Sequence, residues 1–198
     1  DLNNDGVINN LDRVKVGNLF PTVTGGFSTT LGYKDFSLYA RFDYALGHTL
    51  YNDLAARSLG QYQGSFNIID MVKDSWSETN QNTDIPKFYY ADQLSKKNIT
   101  RSNNGLTAVD NNSSRFYEKG DYLALREITL TWNLPKKWIN KALMSNASVY
   151  VTGQNLFYIT GYTGVSPEPA VDTTYGQGLD NGRYPTPKTV LLGLSVTF

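Results

Sequence analysis

The sequence predicts an all-β fold in which antiparallel strands cross a lipid bilayer. About five segments alternate apolar side chains with small or polar ones, as strands do when one face meets lipid and the other a polar lumen. The 198 residues also include 14 Tyr, 9 Phe and 3 Trp. Transmembrane barrels place such aromatic residues at both membrane interfaces, so the composition supports the same fold class.

The five alternating segments are 22–33, 36–47, 122–134, 147–158 and 188–198. In the last segment, the apolar residues that share one face are Val190, Leu192, Leu194, Val196 and Phe198. We predict that these residues face lipid and that Phe198 ends the protein at the periplasmic interface, where an aromatic ring is favoured. A half-buried strand of a soluble sandwich has the same alternation and is the alternative interpretation.

Composition excludes several other classes of protein. The 18 Lys and Arg residues balance 18 Asp and Glu residues, so the chain has no net positive charge with which to hold nucleic acid. Cysteine is absent, which excludes disulfides and thiolate metal sites. No apolar run approaches the roughly 18 to 20 residues that a spanning helix needs, so a bilayer crossing would use strands.

The connections between the segments alternate in length. A tight turn at Lys34-Asp35 and a modest connection at 135–146 alternate with two much longer ones. Bacterial barrels keep periplasmic turns short and outer loops long, and a periplasmic Phe198 places the long connections outside. The predicted extracellular loops, including the segment before the first strand, are 1–20, 48–120 and 159–187.

About five strands cannot close a membrane barrel, because the smallest known examples have about eight. Alone, such a sheet would expose the backbone groups of two edges where no water is available. We therefore expect an N-terminal portion of the same protein to complete the barrel. A soluble sheet covered by loops is the competing account, and the connection of roughly 70 residues disfavours it, since compact domains rarely carry such long loops.

Arg126 does not fit the alternation. Counting along the strand places it on the same face as Ile128, Leu130 and Trp132. The pattern thus predicts an arginine on the apolar face, near the outer end of its strand, where it would lie above the hydrocarbon region of the bilayer.

The opening residues have the spacing of a calcium-binding loop. Oxygen donors alternate along it, and Gly6 permits a sharp turn. The predicted ligands are Asp1, Asn3, Asp5, the Val7 carbonyl, Asn9 and Asp12. An EF-hand has Glu where this chain has Asp12, and no pair of helices flanks the loop. A polar loop stabilised by Asx-turns without metal is the alternative, and bound calcium would order the loop rather than take part in transport.

The chain offers no recognisable catalytic constellation, and we expect no enzymatic activity. His48 is the only histidine, no cysteine accompanies it, and no nucleophile elbow is present. Acidic residues of the long loop, such as Asp70 and Asp84, have no spacing that selects a glycosidase pair. We read His48 as a polar loop residue.

Several stretches together resemble the C-terminal part of a SusC/RagA-type TonB-dependent outer-membrane transporter. They are DLNNDGVINNLDR at 1–13 with GNLFP at 17–21, RFYEKGDYLALREITLTWNLP at 115–135, VTGQNLFYITGYTGVSPE at 151–168 and YPTPKTVLLGLSVTF at 184–198. Residues 54–114 lie outside the resemblance. The family implies a barrel of about 22 strands whose lumen holds an N-terminal plug.

The resemblance also implies partners and a location. A SusD-like surface lipoprotein would cover the outer side, TonB would act through the plug, and the barrel-assembly machinery would read the final strand in the outer membrane. The implied function is import of large nutrients, either oligosaccharides or peptides. A surface binding or adhesion barrel that does not transport is the alternative, and an outer-membrane enzyme is a third reading.

Aromatic residues of the long loop are candidates for contact with a substrate or with the lipoprotein lid. Trp76, Tyr89 and Tyr90 are the predicted residues, because sugar rings and peptides are commonly held on aromatic surfaces with a few polar partners. The alternative is that these rings pack the loop against itself.

Overall fold

The chain forms two compact units in the computed structural model, which describes residues 2–6, 10–56, 58, 67–85, 87–88, 114–168, 178–182 and 184–198. The first unit comprises Asp1–Phe20, Thr49–Lys119 and Tyr162–Arg183. The second comprises Pro21–His48, Gly120–Gly161 and Tyr184–Phe198. Each unit contains a sheet of its own.

Strands dominate the described residues. In chain order they are β1 (Val23–Tyr33), β2 (Phe36–Leu46), β3 (Thr49–Asn52), β4 (Tyr117–Lys119), β5 (Tyr122–Asn133), β6 (Asn146–Thr160), β7 (Leu179–Asp180) and β8 (Thr189–Thr197). The two α-helical turns are α1 (Asp53–Ala56) and α2 (Lys136–Ile139). Short 3-10 turns span Asn10–Asp12, Asp70–Asp74, Ser114–Phe116 and Asn140–Ala142.

The second unit is a five-stranded antiparallel sheet with the order β1-β2-β5-β6-β8. All five segments predicted from alternation are strands of this sheet, which confirms the all-β fold class. The boundaries differ by no more than two residues at any end, since β6 runs from Asn146 to Thr160 instead of 147–158. Within the described part of the chain, no helix has the length and apolar character needed to cross a bilayer.

A β-bulge interrupts the pairing around Arg126. On one side, Arg41 pairs with Glu127 and Phe42 with Leu125, so Arg126 is an extra residue opposite β2. On the other side, the register against β6 shifts at the same point, where Asn155 adopts a left-handed φ of 52°. An extra residue in one strand reverses which side chains share a face beyond it. The prediction that Arg126 lies on the apolar face is therefore wrong.

The register gives this sheet one apolar face. Its residues, in strand order, are Val23, Phe27, Leu31 and Tyr33; Phe36, Leu38, Ala40, Phe42, Tyr44 and Leu46; Leu123, Leu125, Ile128, Leu130 and Trp132; Ala147, Val149, Val151, Phe157 and Ile159; and Val190, Leu192, Leu194 and Val196. Much of this face is uncovered, since Leu31 is 61% exposed and Leu192 is 80% exposed. Large apolar side chains exposed in this number mark an interaction surface.

The opposite face carries mainly hydroxyl, amide and charged side chains. Examples are Arg41 and Asp43 on β2, Glu127 on β5, and Thr152 and Gln154 on β6. The two faces thus differ in chemistry along every strand, as in a sheet that separates lipid from a polar lumen.

The first unit contains a smaller sheet with the order β4-β3-β7. Its strands come from two connections that the sequence predicts as loops, 48–120 and 159–187. Tyr51, Ala56 and Phe116 form its buried core, and the rings of Tyr51 and Phe116 meet edge to face with centroids 6.4 Å apart. This packing buries apolar side chains away from water, as in a soluble domain.

Candidate functional site

An ion pair stands on the polar face of the five-stranded sheet. Arg126 donates from Nε to Asp43 Oδ2 at 2.9 Å and from Nη1 to the Tyr158 hydroxyl at 3.4 Å. Its guanidinium carbon also lies 5.8 Å from the centre of the Tyr158 ring. The bulge turns this arginine away from the apolar face, and its charge is balanced by Asp43.

Hydroxyl groups continue the polar face beside this ion pair. Thr129 Oγ1 lies 2.8 Å from Thr152 Oγ1 and donates to Glu127 Oε1 at 3.3 Å. The rings of Tyr122 and Tyr158 meet edge to face at 5.8 Å. The polar face thus combines the Arg126–Asp43 ion pair with hydroxyl groups and the Glu127 carboxylate.

Four of the five residues predicted to face lipid lie together on the apolar face. Val190, Leu192, Leu194 and Val196 pair across the ladder with Gly153, Val151, Val149 and Ala147. Phe198 follows the end of β8, outside the ladder, and is 87% exposed. Contact with lipid itself stays a prediction for all five.

The opening loop is described only in part. Asp1, Val7 and Asn9 lie outside the described residues. Asn3 Oδ1 accepts from the Asp5 backbone N–H at 3.2 Å, which is an Asx-turn, and its amide donates to Asp5 Oδ2 at 2.8 Å. Asp12 Oδ1 accepts from the Leu2 N–H at 2.7 Å, so the twelfth residue returns to the start of the loop.

This geometry has features of both interpretations of the loop, a calcium-binding loop and a loop stabilised by Asx-turns without metal. Gly6 has a φ of 81°, the conformation that the sixth position of a calcium loop requires, and Asp12 is brought back as a ligand at that position would be. The Asx-turn also holds the loop by its own hydrogen bonds. Among the described residues, no group of three or more His, Cys, Asp or Glu side chains is placed to hold a metal ion. Amide and backbone oxygens would have to complete the site.

Trp76 is the only one of the three predicted aromatic contact residues that lies within the described part of the chain; Tyr89 and Tyr90 lie outside it. The backbone N–H of Trp76 donates to the Ile85 carbonyl at 2.8 Å, Lys87 Nζ lies 5.7 Å from the centre of its ring, and the residue is 37% exposed. A shallow cavity of about 660 Å³ is lined nearby by Met71, Asp74, Gln81, Asn82, Thr83, Asp84 and Ile85. Trp76 is not among these lining residues.

His48 follows β2 as predicted, but it is buried instead of lying in solvent. The side chain is 1% exposed, and its ring meets the Tyr122 ring edge to face at 6.2 Å. Gly120 leaves room for it, because a Cβ at that position would collide with the imidazole. The histidine thus packs within the second unit.

Two carboxylates link distant segments of the first unit, and no sequence motif predicted them. Glu118 accepts from the Thr163 backbone N–H at 2.9 Å, from the Thr163 hydroxyl at 2.8 Å and from the Asn52 amide at 3.1 Å. Asp180 accepts from the Tyr162 hydroxyl at 2.8 Å and from the N–H groups of Val165 and Gly182 at 3.0 Å each. Apart from the local bond between Gly182 and Asp180, these bonds join residues that are 15 to 66 positions apart in sequence.

The environment of Tyr162 raises the pKa of its hydroxyl far above the ordinary value of about 10. Burial is the main cause. The hydrogen bond to Asp180 and the negative charges of Asp180 and Glu118 add to it, because all of them penalise a tyrosinate. The hydroxyl therefore remains a hydrogen-bond donor throughout the physiological range.

No family model matches the chain, but the chain is similar in sequence to several proteins that are all named TonB-dependent receptors. It is 33% identical over 205 residues to TonB-dependent receptor P26 and 31% identical over 204 residues to TonB-dependent receptor P3, both of Formosa agariphila. Both alignments cover 100% of this chain, but only 19% and 18% of the two relatives. The chain thus spans about a fifth of the length of these receptors.

Solved structures of the peptide importer RagAB resemble the chain as well. The RagAB peptide transporter matches with a TM-score of 0.67 and 26% identity, covering 90% of this chain and 17% of the other. RagAB in the closed-closed state matches with a TM-score of 0.67 and 25% identity, covering 91% and 18%.

Proposed function

We propose, from the premise that this chain belongs to the SusC/RagA-type TonB-dependent receptors, that it forms part of the wall of an outer-membrane barrel that imports large nutrients. The observation that carries the proposal is the five-stranded sheet, with one continuous apolar face and one polar face. The apolar face would meet lipid, and the polar face would line the lumen around the plug.

The edges of this sheet support a larger barrel. Among the described residues, β1 pairs only with β2, and β8 pairs only with β6. In lipid, both free edges need further strands, because no water satisfies their backbone groups. The rest of the protein, which in the relatives is more than four times as long as the part matched by this chain, would supply these strands and the N-terminal plug, in a barrel of about 22 strands.

The proposed import needs two partners. A SusD-like surface lipoprotein captures the substrate outside, and TonB releases the plug from below. The substrate is an oligosaccharide or a peptide; the structural neighbours are peptide importers, which favours peptides. No enzymatic step is part of this proposal, and the sequence relatives are named as receptors.

Uptake in the source bacterium tests the proposal. Cells with the full-length receptor should accumulate a labelled peptide or oligosaccharide, lose this uptake when TonB is deleted, and yield the lipoprotein in a pull-down of the receptor. The alternative, a non-transporting adhesion barrel, predicts surface binding that is unchanged without TonB and no accumulation. That second result would remove the import function while leaving the barrel in place.

We also propose that Trp76, Tyr89 and Tyr90 line the outer vestibule or contact the lipoprotein lid. The partial exposure of Trp76 and its position beside an open cavity support this role. Alanine at all three positions should reduce substrate uptake or lid binding. Unchanged uptake and unchanged lid binding would rule the role out.

The opening loop is proposed to bind calcium through Asp1, Asn3, Asp5, the Val7 carbonyl, Asn9 and Asp12. The left-handed Gly6 and the return of Asp12 to Leu2 support this, and the oxygen atoms of these residues would coordinate the calcium ion at about 2.3–2.6 Å. Calcium should protect the loop of the full-length receptor from proteolysis, and Asp12→Asn should weaken that protection. Equal cleavage with calcium and with a chelator would favour the Asx-turn alternative.

The final strand is proposed as the signal that the barrel-assembly machinery reads, with Phe198 as its anchor. The four apolar residues of β8 share one face, and the exposed Phe198 ring follows the strand. Deleting Phe198 from the full-length protein should lower its amount in the outer membrane. Assembly at the wild-type level would refute this role.

A further inference from the structure

The connection between β5 and β6 is a small amphipathic element with unexplained exposed apolar residues. Ile139 is buried, yet Trp138 beside it is 56% exposed and Leu143 is 87% exposed. Leu143 also has a φ of 56°, which a leucine adopts rarely. In the part of the chain that the structure describes, neighbouring residues leave more than half of each of these two side chains uncovered.

The element is held firmly against the end of the sheet. The Leu134 N–H donates to the Ala147 carbonyl at 2.9 Å, and the Ser145 N–H donates to the Thr197 carbonyl at 2.8 Å. The Trp138 ring meets the Trp132 ring edge to face at 5.9 Å. Helix α2 therefore extends the apolar face of the sheet beyond the last ladder pairs.

Trp138 completes an aromatic group at this end of the sheet. Trp132 stacks on Phe36 with ring centroids 6.1 Å apart, and Phe36 pairs across the hairpin with Tyr33. Tryptophan and tyrosine rings are favoured at the boundary between the hydrocarbon and the headgroups of a bilayer. The boundary would then run through this group.

Basic residues lie in the two connections at the same end of the sheet as the aromatic group. Lys136, Lys137 and Lys141 are exposed, and none of them forms an ion pair with a carboxylate in the part of the chain that the structure describes. Lys34 lies at the same end, in the hairpin turn, with its Nζ 5.3 Å from the Tyr33 ring centre. The same two connections contain a single acidic residue, Asp35. This end of the sheet is thus positively charged.

We infer that Lys136, Lys137 and Lys141, together with Trp138, form a binding site for the headgroups of anionic phospholipids. The inference rests on the proposed function, because the site needs the apolar face to lie in a bilayer. The Trp138 ring would lie at the interface, and the lysines would reach the phosphates just beyond it. Continuity with the apolar face and the sign of the charge select a lipid surface as the partner.

Lipid selectivity of the full-length receptor tests this site. The receptor is reconstituted in vesicles of phosphatidylcholine, and spin-labelled phosphatidylglycerol and spin-labelled phosphatidylcholine are the probes. Electron paramagnetic resonance measures the fraction of each probe immobilised on the protein. The test variant carries Lys136→Gln, Lys137→Gln and Lys141→Gln. The matched control loses three exposed lysines elsewhere, by Lys15→Gln, Lys119→Gln and Lys188→Gln.

The wild type should prefer the phosphatidylglycerol probe, and salt should weaken this preference. The test variant should lose preference by about fivefold or more, as expected when basic residues beside an anionic surface are neutralised, and the control should keep it. Equal preference in the wild type and test variant, or an equal loss in the control, would overturn the site. A receptor that imports normally without lipid preference refutes only this inference. A receptor that immobilises neither probe refutes the bilayer placement as well.

Discussion

The sheets of the two units differ in how they bury apolar side chains. In the three-stranded unit the sheet has a small buried core, and Leu50 and Phe116 are almost inaccessible, although apolar residues outside the sheet, such as Leu11 and Phe20, are exposed. In the five-stranded sheet large apolar side chains cover one face and point outward, as Leu194 does at 65% exposure. The proposed barrel would account for this difference, because it places lipid against the apolar face of the five-stranded sheet.

The units also differ in what keeps them ordered. The five-stranded sheet has long ladders, with 11 residue pairs between β1 and β2, so backbone hydrogen bonds run along the full length of its strands. The three-stranded unit has strands of two to four residues, which are too short to be stable alone. Its order depends on the Phe116 core and on the Glu118 and Asp180 carboxylates.

The largest effect is expected for Phe116→Ala, which tests the buried core of the three-stranded unit. Removing this ring from the core should cost about 3–5 kcal/mol, through lost burial and the cavity left behind. Limited proteolysis of the full-length receptor, with cleavage sites mapped by mass spectrometry, should show new cuts within the first unit. Phe27→Ala is the control, since Phe27 stacks on Phe42 at 5.0 Å but is 53% exposed. Equal protection of both variants would mean that Phe116 is not a core residue.

Leu194→Lys tests whether the apolar face of the five-stranded sheet contacts lipid, and it should have the next largest effect. A lysine on the lipid face near the middle of a barrel strand costs about 2–4 kcal/mol. The amount of heat-modifiable receptor in the outer membrane should fall. Ser195→Lys, one residue along on the polar face, should assemble much better because its charge reaches water. If both variants were equally abundant and heat-stable, the assignment of the two faces would fail.

Asp43→Asn tests the ion pair on the polar face. The variant leaves the Arg126 charge, whose side chain is only 16% exposed, without its carboxylate, and should cost about 1–3 kcal/mol. The temperature at which the folded band is lost in gel electrophoresis should drop. Arg41→Gln, an exposed neighbour on the same strand, should change it little. Adding Arg126→Gln to Asp43→Asn should recover part of the loss, and no recovery would argue against direct coupling.

Tyr162→Phe should have the smallest effect, about 0.5–1.5 kcal/mol, because Asp180 keeps two other donors. Since the folded-state pKa of Tyr162 lies above its unfolded value, its contribution is complete below about pH 10 and disappears as the pH rises through the folded pKa. The protease resistance of the first unit should therefore differ between wild type and variant near neutral pH and converge in strong alkali. A difference that persists in strong alkali would contradict this account.

The sequence was sufficient to predict the five-stranded sheet because alternation is a local property of each strand. The β-bulge at Arg126 is also visible in the sequence. The apolar residues of β5 change parity between Leu125 and Ile128, which is what one extra residue produces. The prediction for Arg126 was wrong because it assumed that the alternation continues without a break along β5.

The three-stranded unit could not be predicted in the same way. Strands as short as Leu179–Asp180 have no readable period. The bond from Thr163 to Glu118 joins residues 45 positions apart, and single-sequence reasoning has no rule for such a pair. The calcium-like spacing and the aromatic contact residues were readable as motifs, but half of the loop ligands, with Tyr89 and Tyr90, lie outside the described residues.

The junction between β2 and β5 makes the long insertion inexpensive in entropy. The two strands pair up to Ala45 and Tyr122, and the junction is closed by the Gly47 N–H donating to Asp121 Oδ1 at 2.6 Å and the Gly120 N–H donating to the His48 carbonyl at 2.9 Å. The ends of the insertion are therefore as close as those of a hairpin turn. The entropic cost of closing a flexible loop grows only with the logarithm of its length, so doubling the length of such a connection costs about 0.6 kcal/mol. The sheet can carry insertions of very different size at this point while its strands stay in register.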